Sequence, residues 1–405
     1  MSPTSTSPGI CWSGSPAFPV ARDRKVVGSC TRITTSVSTS IERWLPPVGA
    51  SSTWLVARPI WTPFTTGTSK GVNVSSSTRS ADLGSPPAPV RRFRGGWRIV
   101  AAKEFTDHVR SVRFLVLVAL ISLAGLAAVN SAAGPIRDAA EAASETPSIF
   151  LFLFTLSPDR LPAFHEFIGI LGPLLGIGLG FDAISGERSQ RTLPRLVSQP
   201  IHRDEIINGK FVAGLSAVGL ALAVVMAIVG GYGALELGVG PSWSDLARVG
   251  AFFVVTLAYV GLWLALAIVL SVYTRRAATA ALTAIAIWLL FTLFGGLIAG
   301  LIADAVHPVG AEASAEQVLR NARLELNVRR VSPDQLYRDA TGVLLNPSQR
   351  STGILLTDQV GALPSELPLR DSLLLAWWQV ITIIGAATAL FTAAYVRFLR
   401  QEVRA

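Results

Sequence analysis

The chain has 405 residues, 50% hydrophobic and only 15% charged, with a formal net charge of +9. A soluble domain carries about a quarter charged residues, so this balance, with its long apolar runs, excludes an ordinary soluble globular protein and predicts an all-α polytopic membrane protein. The Lys/Arg excess is read as loops on the inner side of a membrane. Zinc, helix-turn-helix and aromatic RNA-binding signatures are lacking, so no nucleic acid partner is expected.

In chain order, residues 1–90 come first, rich in Ser, Thr, Pro and Gly with scattered Trp and no sustained period. They lack a basic stretch followed by an apolar one, so no signal peptide is recognised. Their composition cannot bury a core and reads as disordered: a cytoplasmic tail or, as favoured here, a non-native upstream extension. Both cysteines, Cys11 and Cys30, fall in this region. No disulfide framework or cysteine metal site can be argued from them.

From residue 91 the pattern changes, and 91–405 is read as one membrane domain. Trp97, Ile99, Val100, Phe105 and Val109 are expected to share one side of an amphipathic helix, with Arg98, Lys103 and Arg110 elsewhere. Such a helix lies in the membrane interface; the plainer reading is a basic juxtamembrane linker. Six apolar runs follow, at about 112–132, 164–184, 211–235, 249–272, 277–303 and 372–396. Each is long enough to cross a hydrocarbon core of roughly 30 Å at about 1.5 Å per residue. The octet Ile149–Leu156, IFLFLFTL, is too short to span and is expected to be re-entrant, interfacial or part of an extended second hairpin. Residues 304–371 form a long external loop.

Lys/Arg placement fixes the orientation. With the start of span one inside, the short outer loops hold only Arg137, Arg160 and Arg248, and the other short loops hold the cationic clusters. Both termini are therefore expected in the cytoplasm, in a multi-pass cell-membrane protein.

Reactive chemistry is scarce. HEFIG at His165 begins like a zinc-protease motif, but Gly169 stands where the second ligand would be. Glu187 and Arg191 are spaced for ordinary i,i+4 helix support. No nucleophile elbow and no GxxxxGK[ST] phosphate loop appears. Asp182, His165, Glu166 and Glu236 sit near span ends, which argues against ion coupling through buried mid-membrane carboxylates. No catalytic or metal-binding residue is assigned. The only methionines are Met1 and Met226, so a copper path is not expected. Small residues recur at helix-packing spacing, at Gly172, Gly176 and Gly180 and again at Gly296, Ala299 and Gly300; packing within one chain is the favoured reading over a dimer seam.

One polar segment stands out: DAISGERSQRTLPRLVSQPIHRDEIINGKF, 182–211, between spans two and three. Glu187 to Val197 is expected to form a short helix that kinks or ends at Pro194, with Leu193 and Leu196 as contact residues. A turn follows around Pro200, and Asp204 and Glu205 suit the start of the next helix. Lys210 marks the interface where span three begins. A helix projecting from two spans is a lever.

This segment resembles the loop between spans two and three of ABC-2 type permeases, with a pattern near E-R-x-x-G-T-L-x-x-L-L-S-x-P-I-x-R-x-E-x-x-x-G-K. Glu187, Arg188, Thr192, Leu193, Leu196, Ser198, Pro200, Ile201, Arg203, Glu205, Gly209 and Lys210 match it. Arg191 stands where the pattern has Gly, and Pro194 shortens the helix. The nearest likeness is to permeases of multicopper-enzyme maturation, the nitrous oxide reductase assembly type, over about 98–404.

The resemblance implies six transmembrane helices behind an amphipathic interfacial helix. It implies an exporter permease whose ATP and magnesium sit on a separate ATPase subunit, with a homodimer or heterodimer of permeases in membrane lipid. The implied coupling residues are Glu187, Arg188, Arg191, Thr192, Leu193, Leu196, Pro200, Arg203, Glu205 and Lys210 in the segment 185–210, with Arg275 and Arg276 as a second contact or plain positive-inside anchors. A non-transporting anchor, an intramembrane enzyme and an ion-coupled transporter remain the competing readings.

Overall fold

A computed structural model describes residues 95–142, 149–157, 161–192, 201–238, 240–310, 313–349 and 367–401. All of them belong to one compact unit, Asp82–Ala405. The expectations for 1–90 lie outside the described residues.

The described residues form helices and no strands. Backbone amides and carbonyls cannot stay unpaired in hydrocarbon, and a helix satisfies them within itself. Helix α1 is Gly96–Arg110, α2 Val112–Ala142, α3 Ile149–Thr155, α4 Phe164–Gly180 and α5 Ser185–Ser189. Then come α6 Arg203–Leu237, α7 Trp243–Tyr273 and α8 Ala277–Leu289. A π-helical turn at Leu290–Phe294 joins α8 to α9, Gly295–Val306; α10 Ala315–Arg329, α11 Pro333–Leu345 and α12 Leu369–Arg400 complete the order.

Six segments are long and apolar enough to cross a membrane: Val112–Asp138, Phe164–Ser189, Arg203–Leu237, Trp243–Tyr273, Ala277–Val306 and Leu369–Arg400. They match the six expected spans, with longer ends. The fifth is the least buried of the six and the fourth, α7, the most buried. Ser242 starts α7 with a reciprocal cap: its Oγ accepts from Asp245 N at 3.1 Å, and Asp245 Oδ2 accepts from Ser242 N at 2.9 Å.

The bundle is centred on α4 and α7. A Cβ added to Gly176 would lie 2.6 Å from Val260 O, and one on Gly180 would lie 2.9 Å from Leu264 O. The first small-residue series is therefore an internal seam where two backbones nearly touch. The second series is not such a seam. Gly296 faces the Arg329 guanidinium and Gly300 faces open space, so only Ala299 packs inward.

The expected external loop is partly structural. Helix α11 buries Leu336, Tyr337, Ala340, Val343 and Leu344. The Tyr337 ring stacks on Tyr259 of α7 at 4.4 Å. Tyr259 Oη donates to Gly169 O of α4 at 2.9 Å. Arg248, which charge counting places in an outer loop, is only 2% exposed. Its guanidinium donates to Leu344 O at 3.0 Å, to Ser372 Oγ at 3.2 Å and to Leu367 O, joining α7, α11 and α12. Helix α3 has seven residues, buries Phe150, Leu151, Leu153 and Phe154, and does not span.

Candidate functional site

The segment after α4 is built from its backbone outward. Ile184 N and Ser185 N both donate to Ser271 Oγ of α7 at 3.0 Å, which pins the start of the loop to the bundle. Helix α5 then runs only to Ser189, shorter than the expected helix from Glu187 to Val197. What stops it is a left-handed residue. Arg191 has φ 57°, Thr192 N donates to Glu187 O at 3.0 Å and Arg191 N donates to Arg188 O at 3.2 Å. Those two bonds are the Schellman ending of a helix, in which the left-handed position favours glycine. Arg191 occupies the place that the permease pattern gives to Gly, and the Cβ there costs roughly 1 kcal/mol. Leu193, Leu196 and Pro200 lie outside the described residues.

Helix α6 opens with Glu205 serving two helices. Its carboxylate accepts from His202 N at 3.2 Å, at the start of α6. It also accepts from Gly95 N at 3.2 Å and Gly96 N at 3.1 Å, the first amides of α1. A negative group at a helix start is favourable, and here one group fills that role twice. Close contact between α1 and α6 follows: a Cβ on Gly209 would lie 2.8 Å from Trp97 O. On α1, Val100, Phe105 and Val109 share one side, which packs on the bundle. Trp97 and Ile99 do not join them; both stand on the exposed side, 40% and 66% exposed. Their places are taken by Glu104 and His108, which fall at i+4 intervals from Val100.

These elements converge on Lys210. Its side chain is buried, and the residue is 5% exposed. Its Nζ lies 2.6 Å from Glu187 Oε1 of α5 and 3.1 Å from Glu104 Oε2 of α1. One ammonium thus holds two carboxylates from two different elements. Burial alone would raise the Glu104 pKa, but the Lys210 and Lys103 ammonium groups outweigh it and hold the carboxyl below its ordinary value. Burial lowers the His108 pKa, with partial opposition from the carboxylates of Glu104 and Asp182. A cavity of about 600 Å³ opens beside the ion pairs, lined among others by Lys103, His108, Asp182 and Thr192. Across it, Arg113 of α2 pairs with Asp182 at 2.8 Å.

Two further arginines tie this end of the bundle together. Arg188 donates to Thr274 O at 3.0 Å and to Gln401 Oε1 at 2.7 Å. Arg203 donates to Gln401 O at 3.0 Å, and Gln401 Nε2 donates to Val272 O at 2.9 Å. Helices α5 and α6 are therefore bonded to the ends of α7 and α12. Of the expected site residues, Glu187, Arg188, Arg203, Glu205 and Lys210 form this inward network. Arg191, Thr192, Arg275 and Arg276 are exposed at the same end. Sequence reasoning missed Glu104 and Gln401. The inward spacing on α1 carried the signal for Glu104; nothing local carried one for Gln401.

Six apolar helices around a buried α4–α7 seam, with a polar loop bonded to the spans, define a multi-pass membrane protein. Residues 98–403 match the model of the ABC-2 family transporter protein. The chain belongs to that family and is an ABC transporter membrane subunit, so a partner ATPase is implied in general. It is 28% identical over 312 residues to the probable ABC transporter permease protein NosY of Stutzerimonas stutzeri, covering 75% of this chain and 98% of that one. It is 29% identical over 310 residues to the protein of the same description from Pseudomonas aeruginosa, with the same two coverages.

Proposed function

We propose that this chain is the permease of an ATP-driven exporter, and that residues 185–210 are where a separate ATPase subunit, carrying ATP and magnesium, engages it. The observation that carries this reading is the buried Lys210 with Glu187 and Glu104 on either side. A push on the loop moves Glu187, and an ion pair in a low-dielectric setting resists separation. The displacement therefore passes to Lys210 on α6 and to Glu104 on α1. The exposed Arg191, Thr192, Arg275 and Arg276 offer the outer surface for docking. In this reading both termini are cytoplasmic, the membrane is the plasma membrane, α1 rests at its inner interface in contact with lipid, and two permeases, identical or related, form the path.

Copurification tests it. Residues 91–405 are co-expressed with an ATPase subunit encoded beside the permease, with and without Arg191→Ala plus Arg275→Ala. A stable complex that the double variant weakens supports docking at this end. A complex formed equally well by the variant contradicts it.

A further inference from the structure

Far from the loop, the fifth span changes from α to π geometry over Leu290–Phe294. A π turn inside a transmembrane helix adds a residue and disturbs the regular ladder, and such turns are frequent at functional sites. The turn between α10 and α11 faces it. Thr292, Arg329, Ser332, Asp334, Gln335 and Arg338 line a recess of about 160 Å³ between them.

The recess is polar and under-satisfied. Thr292 Oγ1, Ser332 Oγ, Asp334 Oδ1 and Arg338 Nε are buried atoms with no hydrogen-bonding partner in the protein. Ser332 is 7% exposed and Asp334 6%. Buried polar atoms are normally paired, so four orphans in one recess call for a ligand that pairs them. Their chemistry defines that ligand. Arg338 spends Nη2 on Asp334 Oδ2 at 2.8 Å, leaving its own Nε and the other carboxylate oxygen free. Arg329 pairs with Glu325 at 3.1 Å and brings a second guanidinium to the wall. Donors for an anion and one acceptor for a cation thus stand side by side, which suits a zwitterion. The rim is apolar. Leu293 lines the recess and is 64% exposed, and Leu290 and Phe294 beside it on the fifth span are 50% and 51% exposed.

We propose that this recess binds the phosphate–primary ammonium headgroup of a glycerophospholipid, with the acyl chains lying along the exposed apolar face of the fifth span. The phosphate takes Arg338 Nε, Arg329 and the two hydroxyls; the ammonium donates to Asp334 Oδ1. The inference rests on the fifth span crossing the membrane, and not on the loop's coupling role.

The test uses the full-length chain in detergent and three phospholipids labelled on the acyl chain, with ethanolamine, choline or glycerol headgroups. Choline has no N–H to donate and glycerol has no cation. The expected result is binding of the ethanolamine lipid at least about tenfold tighter than either of the others, the size of one lost charge-assisted hydrogen bond. Asp334→Asn should abolish that preference, and Arg338→Gln should weaken all three. Thr292→Val, whose hydroxyl has no protein partner, should keep the fold and still weaken the ethanolamine lipid several-fold. Equal binding of the three lipids by the wild type would overturn the proposal. Displacement by free O-phosphoethanolamine at equal concentration would overturn the lipid assignment, because it would show that the chains contribute nothing. ATPase copurification of the same variants should be unchanged, which separates this site from the loop.

Discussion

Lys210 Nζ lies 2.6 Å from Glu187 Oε1, joining the loop helix α5 to the span α6 through a side chain that is almost wholly buried. Glu104 completes the group at 3.1 Å from α1. Removing the shared cation leaves two part-buried carboxylates facing each other. Lys210→Met is therefore expected to destabilise the fold by about 3 kcal/mol. Adding Glu187→Gln to that variant should recover part of the loss, because one of the repelling charges is gone. Thermal unfolding in detergent checks both; equal stability of wild type and Lys210→Met would show that the ion pairs hold nothing.

Arg191 is expected to be a poor residue for its place. Its φ of 57° lies where a Cβ is unfavourable. Arg191→Gly should raise stability by about 1 kcal/mol through the turn alone. Its effect on ATPase binding is a separate reading, since the guanidinium is exposed at the docking end. A fall in unfolding temperature for Arg191→Gly would mean that the side chain makes a contact worth more than the strain.

The α1–α6 contact is the next point of attack. A Cβ on Gly209 would meet Trp97 O and Val100 Cβ, each at 2.8 Å. Gly209→Val should force α1 off α6, at a cost of about 1–3 kcal/mol. Limited trypsin digestion reads this directly: cleavage after Lys103 should become faster in the variant. Unchanged cleavage would place α1 elsewhere.

Acid should loosen the same end of the molecule in two stages. The His108 pKa is lowered by burial, so the folded state prefers its neutral form. Its contribution is complete above the ordinary value of about 6.5 and declines as the pH falls below it. The Glu104 pKa is lowered overall, so its contribution is present above the ordinary carboxylate value near 4.3 and is lost as the pH falls through the lower folded value. His108→Gln should remove the first slope and leave the second. Unfolding temperatures measured from pH 7.5 down to 4 test this; a wild-type curve flat between 7 and 5 would contradict it.

The six spans were legible because a hydrophobic window is a local property. Their ends were not. α6 begins at Arg203, well before the apolar run near Phe211, because polar helix turns project beyond the hydrocarbon where hydropathy is blind. Residues 304–371 read as a loop on hydropathy, yet Leu336, Tyr337, Ala340, Val343 and Leu344 already carried helical spacing. The loop motif pointed to Glu187, Arg188, Arg203, Glu205 and Lys210, all of which the fold brings together. It could not point to Glu104, which only its spacing from Val100 on α1 signals, or to Gln401, whose partners lie far away in sequence and leave no local period.

The most direct measurement is the ATPase rate of the reconstituted permease–ATPase complex carrying Lys210→Met with Glu187→Gln. This pair removes the bond between loop and span while limiting the loss of stability. The complex should still assemble, with permease-dependent stimulation of ATP hydrolysis reduced about tenfold, roughly 1.4 kcal/mol of lost coupling. Full stimulation in an assembled complex would contradict the claim that movement passes from the loop to the spans through Lys210.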